Sequence, residues 1–246
     1  MDENRATPID PAVPEAPVET YESLAGILEL ALLGPALTAS QVEEGCDTAR
    51  QYQIAAVVVR PCDVEMVSRW MRGSGVKVAS VAGYPYGIST TGAKLYEGRD
   101  LLRLGVQELD FVLNPAGLVS RNFQHVETEL MQIVRSAHES GAPLTAVCNN
   151  RIVTNDLKII ATRIAKRVEA DSIAIQHSDA DLGIIKPLLK DLLRLKRSDA
   201  VVTLEEALAS RDAGYSRMTT PNVVAILDAW KQRLAELAKQ QQEPVT

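Results

Sequence analysis

The chain has 246 residues, enough for one large α/β domain or two small ones, and its 46% hydrophobic content supports a full core packed mainly by aliphatic side chains, since aromatics make up only 4%. A formal net charge of −6, with no block of lysine and arginine, argues against a nucleic-acid partner or an anionic membrane surface. Three widely spaced cysteines (Cys46, Cys62 and Cys148) fit the reduced thiols of a cytoplasmic protein better than a disulfide framework or a metal cluster, and no apolar run approaches membrane-spanning length.

Residues 1–20 are rich in proline and acidic side chains, without periodicity or a basic, apolar leader, and read as a disordered tail with no signal peptide. Residues 21–241 form the expected domain, and 242–246 a short C-terminal tail. Leu24 to Leu33 is apolar apart from Glu29 and reads as a short helix running into a first strand, ended by Gly34-Pro35. Thr38 or Ser40 caps a helix to about Gln53, with Gln41 or Glu43 as the capping-box partner. The strand Ala55–Arg60, a helix from about Asp63 to Arg72, the strand Val76–Ala82 and a helix from Ser89 to Leu104 follow. Next come the strand Gln107–Asn114, a helix from about Asn122 to Ser140, the strand Pro143–Cys148, a helix from Thr154 to Glu169 and the strand Asp171–Gln176. Leu182 to Leu195 reads as mostly helical, with Pro187 near a first turn or at a kink. Thr203 to Glu206 opens a further helix as a capping box, Arg217–Thr220 is a short last strand, and Val223–Lys239 is an amphipathic helix whose apolar positions are compatible with a homodimer. About eight strand–helix units predict a closed (β/α)8 TIM barrel, and the absence of a Gly-x-Gly-x-x-Gly or P-loop motif removes support for nucleotide binding.

In that fold chemistry sits at the C-terminal ends of the strands. Alternation within Gly105–Asn114 places Glu108, Asp110 and Val112 on one face and Leu109, Phe111 and Leu113 on the other. A buried carboxylate is costly unless paired, so Asp110 is either a salt-bridged structural residue or part of a site. The strand ends also offer Arg60, Asn114, Asn149, Gln176, His177 and Ser178 as ligand-binding candidates, together with the basic pair Lys196-Arg197. His177 reads either as a ligand contact or as a satisfied loop histidine, and His125 and His138 as solvent-facing. The set contains no second clear carboxylate near Asp110 and no His/Asp/Glu trio with metal spacing, so no metal is expected.

Gly83-Tyr84-Pro85-Tyr86-Gly87 followed by Thr90-Thr91, then Glu108-Leu109-Asp110-Phe111-Val112-Leu113-Asn114-Pro115-Ala116-Gly117-Leu118, resembles the 2-deoxyribose-5-phosphate aldolase family. Thr203-Leu204-Glu205-Glu206-Ala207-Leu208 with Asp212-Ala213-Gly214-Tyr215-Ser216-Arg217 matches the same family, and the likeness runs from about Leu24 to Leu227. The resemblance implies a TIM barrel that joins acetaldehyde and glyceraldehyde 3-phosphate reversibly through a lysine Schiff base, with no metal or cofactor. It implies a proton-relay role at the position of Asp110. The family's Schiff-base lysine follows an Ala-Asp-aromatic-aliphatic run; here Ala170-Asp171-Ser172-Ile173 is followed by Ala174. Thr145 replaces a lysine, Asn149-Asn150 a Glu-Thr pair, Asp199-Ala200 a Gly-Gly phosphate loop and Thr220-Pro221-Asn222 a Ser-Ser-Gly one. Lys196 aligns with the family's second active-site lysine, with Ser198 and Thr203 in step, but also reads as the cationic end of the Leu182–Leu195 helix.

These replacements favour a divergent barrel without Schiff-base aldolase activity, retaining at most the binding of a small aldehyde or sugar-like molecule, or of a partner, at the strand ends. One alternative is an active class I aldehyde-lyase with Lys196 as nucleophile and Asp110 as proton relay, acting on deoxyribose 5-phosphate or a non-phosphorylated aldehyde. Another is a lyase or isomerase using Asp110 and His177 as an acid–base pair.

Overall fold

A computed structural model describes residues 19–148, 153–190 and 192–242. The expected N-terminal tail lies almost wholly outside the described residues, as do Asn149 and the last four positions of the C-terminal tail.

Eight strands close into one parallel barrel in sequence order: β1 (Leu28–Leu32), β2 (Ala56–Val59), β3 (Lys77–Ala82), β4 (Glu108–Val112), β5 (Leu144–Val147), β6 (Ser172–Ile175), β7 (Arg194–Arg197) and β8 (Arg217–Thr220), with β8 pairing back onto β1. The helices are α1 (Tyr21–Ala25), α2 (Ala39–Tyr52), α3 (Val64–Trp70), α4 (Thr91–Arg103), α5 (Pro115–Val119), α6 (Phe123–Glu139), α7 (Asn155–Arg167), α8 (Asp179–Leu189), α9 (Leu204–Asp212) and α10 (Val223–Gln242). The (β/α)8 expectation is therefore met. Both faces of each strand are covered, which is why β2, β3, β5 and β6 read as short, largely apolar runs.

Outward residues such as Leu109, Phe111, Leu144 and Ile173 pack with the helices in the main core. Inside the barrel, Ala56, Val58 and Ala79 form one small cluster, and Val81, Val112, Val147 and Ala174 a second, nearer the strands' C-terminal ends. Small side chains here leave space at the mouth. None of the described helices is long and apolar enough to cross a membrane.

Local signals hold where capping is explicit. Thr38 Oγ1 accepts the Gln41 N–H and Gln41 Oε1 accepts the Thr38 N–H, a complete capping box on α2. Because Thr38 is exposed, Thr38→Ala is expected to lower stability by about 1 kcal/mol in urea unfolding through loss of the cap alone. An unchanged midpoint would show that the cap contributes nothing.

Two parts of the sequence reading are corrected. The stretch Leu182–Leu195 is not one helix: α8 ends at Leu189, Lys190 turns left-handed at φ 49°, and β7 begins at Arg194. Lys190 ends the helix without glycine, so no sequence punctuation marks the break. Pro187 sits inside α8 near its C-terminal end rather than in the first turn. The second correction is α5, which the sequence reading left out; Asn114 caps it by accepting the Gly117 N–H at 3.2 Å, and Pro115 opens it.

Candidate active site

The correction to β7 decides what Lys196 is. In a strand, Leu195 faces the helices, Lys196 the barrel interior and Arg197 the outer layer against α9. Lys196 is thus no helix end. Its side chain is 5% exposed, and Nζ lies 2.8 Å from Asp110 Oδ2, 3.1 Å from Asp110 Oδ1 and 2.8 Å from Glu29 Oε2. Beneath it Arg217, from β8, reaches Glu108 Oε1 at 3.0 Å, Glu29 Oε1 at 3.5 Å and the Gly26 carbonyl at 2.9 Å. Three carboxylates and two cations therefore form one inward-facing cluster.

Glu29 corrects the expectation that no second carboxylate lies near Asp110. It is fully buried on β1, in phase with the inward Ala31 and Leu33, and a lone glutamate in an apolar run was the available signal. Neither Glu29 oxygen receives a well-aligned hydrogen bond, although Lys196 is within ion-pair distance. Burial pushes the Glu29 carboxyl up, more than Lys196 pulls it down. For Lys196, burial alone would lower the pKa, but Asp110 and Glu29 together outweigh it and hold the ammonium above the ordinary lysine range. An amine nucleophile needs the opposite shift. Lys94 on α4 is also fully buried and held below the ordinary range, chiefly by burial, but it is bonded to Glu129 at 2.8 Å and does not line the barrel mouth.

Above the cluster opens a cavity of about 370 Å³, walled by Ala31, Val58, Val81, Val112, Val147 and Ala174, with Asp110 and Lys196 at its base and Tyr84, Ser198 and Thr219 among its polar contacts. The remaining sequence candidates among the described residues are not gathered there. Arg60 bonds Asp63 at 2.6 Å and the carbonyls of Gly34 and Pro35, tying two loops together. Asn114 caps α5, and Ser178 caps α8 by accepting the Asp181 N–H at 3.0 Å. Gln176 lines a neighbouring pocket. The His177 ring sits against Tyr215, with Nδ1 3.4 Å from the phenol oxygen, outside the lining of the Asp110 cavity; this gives the acid–base pair of Asp110 and His177 no geometric support. The backbone N–H of His177 donates to Asp199 Oδ1 at 2.6 Å, while Asp199 Oδ2 accepts two bonds from Arg197, at 2.7 and 3.0 Å. Burial pushes the Asp199 carboxyl up, but these bonds outweigh it and hold the group below the usual carboxylate range.

No family model matches the chain. A deoxyribose-phosphate aldolase of Thermococcus gammatolerans is 30% identical over 205 residues, which are 80% of this chain and 91% of the relative. The enzyme of the same name from Bacteroides thetaiotaomicron is 28% identical over 220 residues, 87% of this chain and 92% of the relative. Among solved structures, QR15, an aldolase, superposes with a TM-score of 0.78 at 25% identity, covering 88% of this chain and 98% of that one. The tetrameric deoxyribose phosphate aldolase of Aeropyrum pernix does so with a TM-score of 0.77 at 24% identity, over 87% and 93% of the two chains, a likeness of fold. With barrel, motifs and near full-length similarity agreeing, the chain belongs to the deoxyribose-phosphate aldolase family.

Proposed function

We propose that this chain is a divergent member of the family that forms no Schiff base and keeps a small-molecule site in the cavity at the strands' C-terminal ends. The observation that carries the proposal is the state of Lys196, the only lysine lining that cavity among the described residues, held as an ammonium between Asp110 and Glu29. Schiff-base chemistry begins from a free amine lone pair. Deprotonating Lys196 would leave two buried carboxylates without their cation, a strongly unfavourable state. The position matched to the family's nucleophile is Ala174, which offers a methyl group to the cavity. Self-association as a homodimer belongs to the same proposal, supported by the tetrameric state of the Aeropyrum pernix structure. So does a cytoplasmic setting, supported by the free thiols of Cys46, Cys62 and Cys148.

Borohydride trapping tests the chemistry. With acetaldehyde or deoxyribose 5-phosphate, the intact mass of the protein is expected to stay unchanged under conditions that label the Thermococcus gammatolerans relative. An adduct mapped to Lys196 would overturn the proposal and establish the active aldehyde-lyase in its place.

A further inference from the structure

At three points around the mouth of the barrel, backbone N–H groups stand where an anion could bind, and at each the chain supplies its own acceptor. After β6, the His177 N–H is taken by Asp199. Before α9, the Val202 N–H donates to Glu206 Oε2 at 2.9 Å and the Glu206 N–H to Thr203 Oγ1 at 3.2 Å. Before α10, Pro221 has no N–H, and the Asn222 N–H donates to Thr220 Oγ1 at 2.9 Å. Helix starts and nests attract anions through unpaired donors, and the N–H groups named here are already taken.

The cations near the mouth among the described residues are engaged in the same way. Lys196 lies between its two carboxylates, Arg197 is bonded to Asp199 and Ser210, and Arg60 is bonded to Asp63. Among the described residues, a phosphate dianion entering the cavity would meet Asp110 with no lining cation beyond Lys196, which is already paired.

Among the described residues the walls of the available space are mainly apolar. The cavity shares Pro85, Val112 and Val147 with a neighbouring pocket of about 320 Å³, whose further walls include Leu113, Leu118 and Val153. No charged side chain lines that pocket among the described residues.

We infer that the ligand is an uncharged hydroxyl- or carbonyl-bearing compound with an aliphatic extension, its oxygen end at Asp110 and Lys196 and its chain directed between Leu113 and Leu118. The inference rests on the proposed small-molecule site, and it is independent of whether Lys196 forms a Schiff base.

Titration calorimetry on the full chain tests it with straight-chain 1,2-diols, from propanediol to hexanediol, and with the pair deoxyribose and deoxyribose 5-phosphate. The diols cannot form a Schiff base, so the result does not depend on the borohydride outcome. Affinity is expected to rise about fourfold per methylene as the chain enters the apolar pocket. Deoxyribose is expected to bind about tenfold or more tighter than its phosphate ester, through unrelieved repulsion at the mouth. Asp199→Asn, which removes the negative charge held at the His177 N–H, should narrow that gap. Equal or tighter binding of the phosphate ester, or affinity indifferent to chain length, would overturn the inference. Failure of both classes to bind would overturn it together with the small-molecule site, leaving the absence of Schiff-base chemistry to stand on its own measurement.

Discussion

Ala174→Lys is expected to convert the barrel into a Schiff-base former. Ala174 points into the cavity from β6, in register with Val147 on β5 and Lys196 on β7, so an added side chain extends into open volume rather than into packed core. The introduced amine would be buried beside the Lys196 ammonium, and burial and like charge both lower an amine pKa. Asp110 and Glu29 are already engaged with Lys196. A shift of about two units from the ordinary lysine value raises the neutral fraction near pH 7.5 by about a hundredfold. The wild-type chain should therefore show no acetaldehyde adduct after borohydride, and the variant a single adduct mapped to position 174. A variant with wild-type circular dichroism and thermal transition that stays unlabelled would contradict this account of what the site lost.

Lys196→Met should be among the most destabilising single substitutions in the chain. It removes the cation from two buried carboxylates, for which the expected cost is about 3–5 kcal/mol in urea unfolding. Breaking the exposed Arg69–Glu65 pair with Glu65→Ala should cost less than about 1 kcal/mol. The pH dependence separates an ion-pair loss from a packing defect. The Lys196 pKa is raised in the folded state, so the native protein binds more protons than the unfolded chain once pH exceeds the ordinary value of 10.5. Its contribution is complete below that value and falls away as pH climbs towards the folded-state value. The stability gap between wild type and Lys196→Met should accordingly shrink on the alkaline side. A gap that is small at neutral pH, or constant through the alkaline range, would exclude the buried ion pair as its source.

The barrel was legible because most of its strands are short aliphatic runs separated by capped helices, and Thr38 and Thr203 each start a helix as their side chains suggest. The hidden strand is β7. Its sequence, Arg194-Leu195-Lys196-Arg197, contains one apolar residue, and it follows a left-handed lysine rather than a glycine. Its strand character comes from pairing with β6 and β8, which no local window contains. Asp110 was legible as an acid in a buried strand. Glu29 was equally visible, but its importance depends on Lys196, more than a hundred residues away in sequence and on another strand. The strand-end residues Arg60, Asn114 and Ser178 read in sequence as ligand-binding candidates. Their side chains serve loops and helix starts, a role that resembles ligand binding in sequence because both require polar residues at strand ends.

The Asp199 side chain has a consequence for competition at the barrel mouth. It is a ligand tethered two residues from Arg197, so a dissolved anion seeking the same guanidinium competes with an intramolecular one. Short tethers give effective concentrations in the millimolar range or higher, and this carboxylate is already oriented by the His177 N–H. Added phosphate would have to exceed that concentration before gaining Arg197, whatever the total positive charge of the protein. Raising ionic strength would help little, because the Arg197 side chain is largely shielded from solvent ions. At Arg197 and the His177 N–H, the anion is supplied by the chain itself.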